Sequence, residues 1–312
     1  MCIRDSRTAN SKWANHLALI EADRDRENHR LTYSEFNSMA LKLADSLQSS
    51  GFKPGQRGAI LMSNQSKWLV SAYAIFYCGG ILVPLDFKLT PSEHYSLLKH
   101  AKSKVLITEY PLWMGLNRSI ENEELKRMTV VVTEAPDGED LKGAHHWKRY
   151  LKDKLTQPPQ FQPRNREDIA CIVYSSGTGG NPKGCLLTHD NYLKQCQSLM
   201  SWYPFWPKLR YLSILPTNHA IDFMVGFIGP FVCGATVIHL RTLRPEYLKA
   251  AFPRYQITYV SVVPMVLKAL EASLKDKFSK LPPHRRWMLN TLIGINRILT
   301  TQRPWPGLSR RL

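Results

Sequence analysis

The stretch "YSSGTGGNPKG", Tyr174 to Gly184, follows directly on the apolar run Ile169 to Val173 and decides how the rest of the chain is read. Without a Cβ, glycine lets backbone N–H groups approach an anion and adopt positive φ, so a glycine-rich turn after a strand suits phosphate. Two familiar phosphate patterns fail here. Counting a P-loop from Gly177 reaches Pro182 where a glycine is needed, and Lys183 is followed by Gly184 where the pattern requires Ser or Thr. The dinucleotide fingerprint begins with Gly177 and Gly179, but its third glycine falls on Pro182, which has no N–H to offer. What remains is a hydroxyl and glycine loop of Ser175, Ser176, Gly177, Thr178, Gly179 and Gly180. Pro182 stiffens it, and Lys183 supplies a flexible point charge that can reach a triphosphate. Composition alone leaves a solvated surface turn equally open.

Around this loop the chain alternates helix and strand signals. Thr32 and Glu35 form a capping box before Phe36, Met39, Leu43 and Leu47, an amphipathic helix that ends at Gly51. Strand "RGAILMS", a buried helix around Trp68 to Phe76, strand "ILVPL" and a capped helix from "TPSE" with Pro91 in its first turn come next. Strands "KVLIT" and "TVVVTE" continue the alternation, and residues 135–168 read as a polar surface linker. After the loop come a helix near "HDNYLKQCQSLM", strand "RYLSILP", a helix from about Ala220, strand "ATVIHL", a helix near "RPEYLKAAF", strand "ITYVSVV" and a helix from Pro264. Strands too apolar to face water on either side predict a layered α/β fold around a largely parallel sheet.

The 312 residues suffice for a sizeable core and carry a formal charge of +17. The positive residues are spread along the chain, without the basic, aromatic-interleaved stripe of a nucleic-acid binder, so no nucleic-acid partner is expected. Residues 281–312 differ: arginines stand among Trp287, Leu292 and Ile293 with no acidic side chain, a basic amphipathic stretch that suits either peripheral contact with an anionic membrane or a helix whose acidic partners lie in further sequence. The uncharged runs 68–85 and 223–238 approach spanning length, but glycines and prolines divide each into a buried helix, a turn and a strand. The cysteines Cys2, Cys78, Cys171, Cys185, Cys196 and Cys233 include no C-x-x-C pair and read as reduced thiols of a cytoplasmic protein, with no metal site implied. "MCIRDS" has no targeting pattern, and residues 1–10 read as a non-native or disordered leader.

The loop resembles the signature of the adenylate-forming (AMP-binding) superfamily, the acyl-CoA synthetases and their relatives, usually written Y-T-S-G-T-T-G-x-P-K-G with a histidine a few residues on. Tyr174, Ser176, Gly177, Thr178, Gly180, Pro182, Lys183, Gly184 and His189 match it, while Gly179 stands where the family usually has a second threonine. "LTYSEF", "GFKPGQRGAILMSN" and "CGGILVPLDFKLTPSE" resemble the family's early blocks, and "ILPTNHAIDFMVGFIGPFVCGATV" its histidine block. The resemblance implies stacked α/β subdomains of the large N-terminal domain, with 11–312 a partial adenylation domain incomplete at its C-terminus. The family's later blocks and its small C-terminal domain are absent, so the chain by itself is expected to be inactive. It further implies ATP, Mg2+ and coenzyme A as cofactors and a fatty acid as the carboxylic acid activated, by way of an acyl-AMP. Ser175, Ser176 and Thr178 with the loop glycines would then hold phosphate, Lys183 and Thr178 would act catalytically, and His219 would border the acyl and adenylate pocket beside a candidate acyl wall, 221–231. Two other readings share the loop: an adenylation domain of a peptide synthetase and a non-catalytic nucleotide-binding protein.

Overall fold

Both capping boxes form as written in the sequence. The Thr32 hydroxyl accepts the Glu35 N–H while the Glu35 carboxylate receives the Thr32 N–H, starting the helix Tyr33–Ser49; Thr90 and Glu93 do the same for Pro91–Ala101. The computed structural model describes residues 11–119, 123–151, 155, 158–175, 182–203 and 205–302.

In chain order the strands are β1 (Leu17–Asp23), β2 (Arg26–Thr32), β3 (Arg57–Leu61), β4 (Ile81–Pro84), β5 (Ser103–Glu109), β6 (Thr129–Thr133), β7 (His145–His146), β8 (Ile169–Ser175), β9 (Lys183–Thr188), β10 (Arg210–Ser213), β11 (Thr236–Leu240) and β12 (Tyr259–Val260). Among the described residues they form a five-stranded sheet, ordered β12-β10-β11-β1-β2, and a seven-stranded sheet, ordered β7-β6-β5-β3-β4-β8-β9. Neighbours are parallel except β1 with β2 and β8 with β9, as the apolar strands predict. Both sheets belong to one compact unit, 1–200 with 205–261, while 201–204 and 262–312 form a second that holds the helices Pro264–Ser279 and Pro283–Gln302.

The run 68–85 resolves into the buried helix Ser66–Tyr77, a turn and β4. The run 223–238 becomes helical segments followed by β11. Among the described residues no helix is long and apolar enough to cross a membrane. Residues 135–168 hold more structure than their polar composition predicts. β7 joins the edge of the larger sheet there, the helix Trp147–Tyr150 follows it, and Leu141 and Trp147 are buried.

The two sheets meet through a cluster of charged groups at the carboxyl ends of their strands, of which Glu21 alone is buried. Arg241, just past β11, pairs with Glu134 beyond β6 through Nη1 and Nη2 and lies 3.7 Å from both Glu109, at the end of β5, and Glu21 of β1. Glu21 is 1% exposed. Its burial acts to raise its pKa, but the N–H and hydroxyl of Ser66, each 2.7 Å away, hold the carboxyl below the usual range.

Register places Ser213, His239 and Glu21 side by side across three strands. His239 is fully buried, and burial pulls its pKa from 6.5 to about 4; burial likewise takes His189 to about 4. The folded imidazoles therefore refuse protons that the unfolded chain accepts. Their stabilising contribution is complete above pH 6.5 and is lost as pH falls towards 4. Asp222, raised by burial from 3.8 to about 6, works in the opposite direction over the acid range. Urea unfolding at pH 7 and pH 5 should therefore show His239→Leu losing less stability on acidification than the unsubstituted chain. Parallel losses would mean that the ring titrates as in water.

Candidate functional site

The loop's two ends are brought together by a ladder. β8 and β9 pair so that Tyr174 faces Gly184 and Ser175 faces Lys183, which sets a candidate phosphate hydroxyl across from the lone lysine. Both of those side chains are exposed, and the loop leaves β8 at the carboxyl end of the parallel strands, where open α/β sheets place ligands. The candidate residues Ser176, Gly177, Thr178, Gly179 and Gly180 lie outside the described residues.

Several features hold this hairpin. The Tyr174 hydroxyl and His100 Nδ1 lie 2.7 Å apart, tying β8 to the end of the helix Pro91–Ala101. A Cβ on Gly184 would come within 3.0 Å of Ile172 and 3.3 Å of the Tyr174 ring, so the last glycine of the motif serves close packing of the hairpin. At the other end of β9, Thr188 and Asn191 exchange capping hydrogen bonds to open the helix His189–Trp202. The His189 N–H donates to the Asp168 carbonyl, and its ring packs edge-on against Phe76 with centroids 6.0 Å apart. Burial holds the His189 ring neutral.

His219 lies elsewhere, on the turn after β10 of the other sheet. The turn is fastened across to the larger sheet by Asn64, just past β3: its amide donates to the Leu215 carbonyl, and its Oδ1 accepts the Thr217 N–H at 2.8 Å. His219, Ala220 and Ile221 are exposed, whereas every residue from Asp222 to Phe231 is buried. Ser175 and Lys183 are thus paired directly, and His219 is positioned separately through Asn64.

The Asp222 carboxylate sits beneath the exposed triad and is fully buried. It accepts the hydroxyls of Tyr211 at 3.0 Å, Ser213 at 2.8 Å and Thr217 at 3.1 Å. Burial raises its pKa to about 6, with the three hydroxyls acting against the shift. Sequence reasoning passed over Asn64 and Asp222. The available signal was that Asp222 is the lone acidic residue in 214–240, since a carboxyl in an apolar run has to find partners.

The family profile described as AMP-binding enzyme matches residues 6–295. The chain belongs to this family. It is 25% identical, over 93% of its length and 41% of the relative's, to the long-chain-fatty-acid–[acyl-carrier-protein] ligase AEE15, chloroplastic, of Arabidopsis thaliana. To the feruloyl-CoA synthase of an Amycolatopsis species it is 26% identical, over 89% of its length and 50% of the relative's. The AMP-binding chain therefore spans about half the length of the curated relatives it matches, or less. Its fold is that of the N-terminal domain of FACL13 from Mycobacterium tuberculosis, with a TM-score of 0.74 at 22% identity over 86% of this chain and 64% of that one.

Proposed function

We propose that this AMP-binding chain is the phosphate-handling part of an ATP-dependent ligase that activates a carboxylic acid as its acyl-adenylate and passes the acyl group to a thiol. The observation that carries the reading is the β8–β9 hairpin, which sets Ser175 opposite Lys183 at the mouth of the signature loop. In the first step an oxygen of the carboxylate bonds to the α-phosphorus of ATP while the bond to the bridging oxygen breaks and pyrophosphate leaves. In the second, the sulfur of a thiol, coenzyme A by the family resemblance, displaces AMP from the acyl carbon. The first step joins two anions, so charge must be screened and the attack held in line. Lys183 neutralises charge gathering on the leaving pyrophosphate, Ser175 with the loop hydroxyls of Ser176 and Thr178 orients the phosphates, and Mg2+ enters with the nucleotide.

A fatty acid is the acid we favour. Ile221 is 63% exposed beside His219 and offers an apolar wall to an acyl chain. A peptide-synthetase substrate would need a carboxylate for its ammonium, and Asp222, the lone acid of this block, has both oxygens engaged by buried hydroxyls. ATP–pyrophosphate exchange by the full-length protein, run with fatty acids, aromatic acids and amino acids, tests the choice. Exchange driven by fatty acids is expected; exchange driven by an amino acid would overturn it, and none with any acid would favour a non-catalytic nucleotide binder.

Collection of the acid from an anionic membrane belongs to the same proposal. The helix Pro283–Gln302 begins with Arg285 and Arg286 and exposes Trp287, Leu292 and Ile293. Attraction to headgroups is screened within about 10 Å at 0.1 M salt. Cosedimentation with anionic vesicles should weaken as salt rises and fall when Arg285 and Arg286 become glutamine. Equal binding to neutral vesicles would remove the idea.

A further inference from the structure

The geometry assigns Asp222 as a positioning residue whose buried carboxylate locks the turn that presents His219 and Ile221 to the acid. The inference rests on the proposed reading that this turn borders the acid being activated.

A buried carboxylate is costly unless it is paired, and among the described residues this one is held by three neutral hydroxyls and no cation. Apolar side chains of similar volume are often at least as stabilising as a buried charged network, so stability alone does not account for an acid here. What the arrangement supplies is geometry. Tyr211 and Ser213 stand two apart on β10 and share one face of a strand fixed in its sheet, whereas Thr217 lies on the turn itself. The carboxylate therefore joins a strand to the turn at Thr217, which stands two residues before His219. Asn64 holds the same turn from the other sheet, so the exposed triad is clamped from two directions.

The segment that follows has accommodated the carboxylate. Residues Met224–Ile228 form a π-helical turn between the helices Ala220–Phe223 and Gly229–Cys233. That turn brings Gly226 against Asp222, where a Cβ would lie 2.9 Å from both carboxylate oxygens, so a side chain there would have to displace the carboxylate. Such π turns inside helices occur frequently at functional sites. An acid, a glycine and a widened helical turn thus share one contact directly under the exposed triad.

Two substitutions separate positioning from plain stability. Thr217→Val and Ser213→Ala each remove one hydroxyl from the carboxylate, but the first alone releases the turn from the carboxylate, leaving Asn64 as its remaining clamp. In the full-length protein, Thr217→Val should raise KM for the carboxylic acid about tenfold, with kcat and KM for ATP within about twofold, a loss on the scale of a displaced substrate contact. Ser213→Ala should leave all three constants within about twofold while lowering Tm by as much as Thr217→Val does. A second readout needs no turnover. In 15N-histidine-labelled protein, the His219 ring signal, assigned by its disappearance in His219→Gln, should be single in the unsubstituted protein and in Ser213→Ala, and broadened or doubled in Thr217→Val. Equal effects of the two substitutions on the ring signal, or no effect of Thr217→Val, would overturn the assignment. If no acid supports exchange at all, the functional reading fails and the ring signal still decides the positioning.

Discussion

Replacing Lys183 with alanine is expected to slow acid-dependent pyrophosphate exchange by about 10²–10³-fold in the full-length protein, the scale of losing one transition-state donor. The expectation comes from where the residue stands. Lys183 is the first residue of β9, exposed, with its backbone already committed to the ladder opposite Ser175. The substitution removes a charge and leaves that ladder intact, so thermal unfolding should stay within about 1 °C, in keeping with the small effects of exposed surface changes. The effect should fall on the chemical step, because charge on the pyrophosphate grows only as the bond to the α-phosphorus breaks. A loss of less than about threefold would make Lys183 a solvated surface charge.

Replacing Arg241 with methionine is expected to cost the folded chain about 2 kcal/mol at pH 7, between the loss of an exposed ion pair and the breaking of a buried one, because Arg241 and Glu134 are partly exposed while Glu21 is buried. Methionine keeps much of the stem's packing, so the loss reports the guanidinium. Its removal leaves Glu21, Glu109 and Glu134 converging on an empty centre, with Glu21 at 1% exposure. Lys67, 3.7 Å from Glu134, offsets only part of this. Burial already raises the pKa of Glu109, so the substituted chain should recover part of its loss on mild acidification, when that carboxyl takes up a proton. Urea unfolding at pH 7 and pH 5 measures both effects. A cost below about 1 kcal/mol at pH 7 would show that water screens the cluster.

The parallel strands were legible in the sequence for an identifiable reason. Strands such as β5 and β6 are buried on both faces, and their runs of Val, Ile and Leu left no other reading. The capping boxes at Thr32 and Thr90 announced two helix starts because side chain and backbone satisfy each other within four residues. The β1–β2 hairpin was missed because β2, "RENHRLT", is an edge strand with five successive exposed residues, and because the connection places Arg24 at φ 53° where a glycine or asparagine would have signalled a turn. The π turn was hidden by its own burial: with every residue from Met224 to Ile228 apolar or glycine and buried, no polar face betrays the helical period. "ITYVSVV" yielded only the two residues of β12, which pairs with β10 at the edge of its sheet. The clamp on the His219 turn was illegible because Asn64 and Thr217 are far apart in the chain and meet only once both sheets exist.

β9 lies at the edge of its sheet, bonded to β8 along one side, whereas β8 has β4 on its other side. Amide groups along an edge strand alternate between those sealed in the ladder and those open to solvent. Deuterium uptake over residues 183–188 should consequently be biphasic, with alternate amides exchanging at once and the rest at the rate the hairpin opens. Nucleotide held by Lys183 would slow the second phase and leave the first untouched. The exposed edge therefore gives the loop a built-in clock, readable by mass spectrometry without a carboxylic acid substrate or turnover.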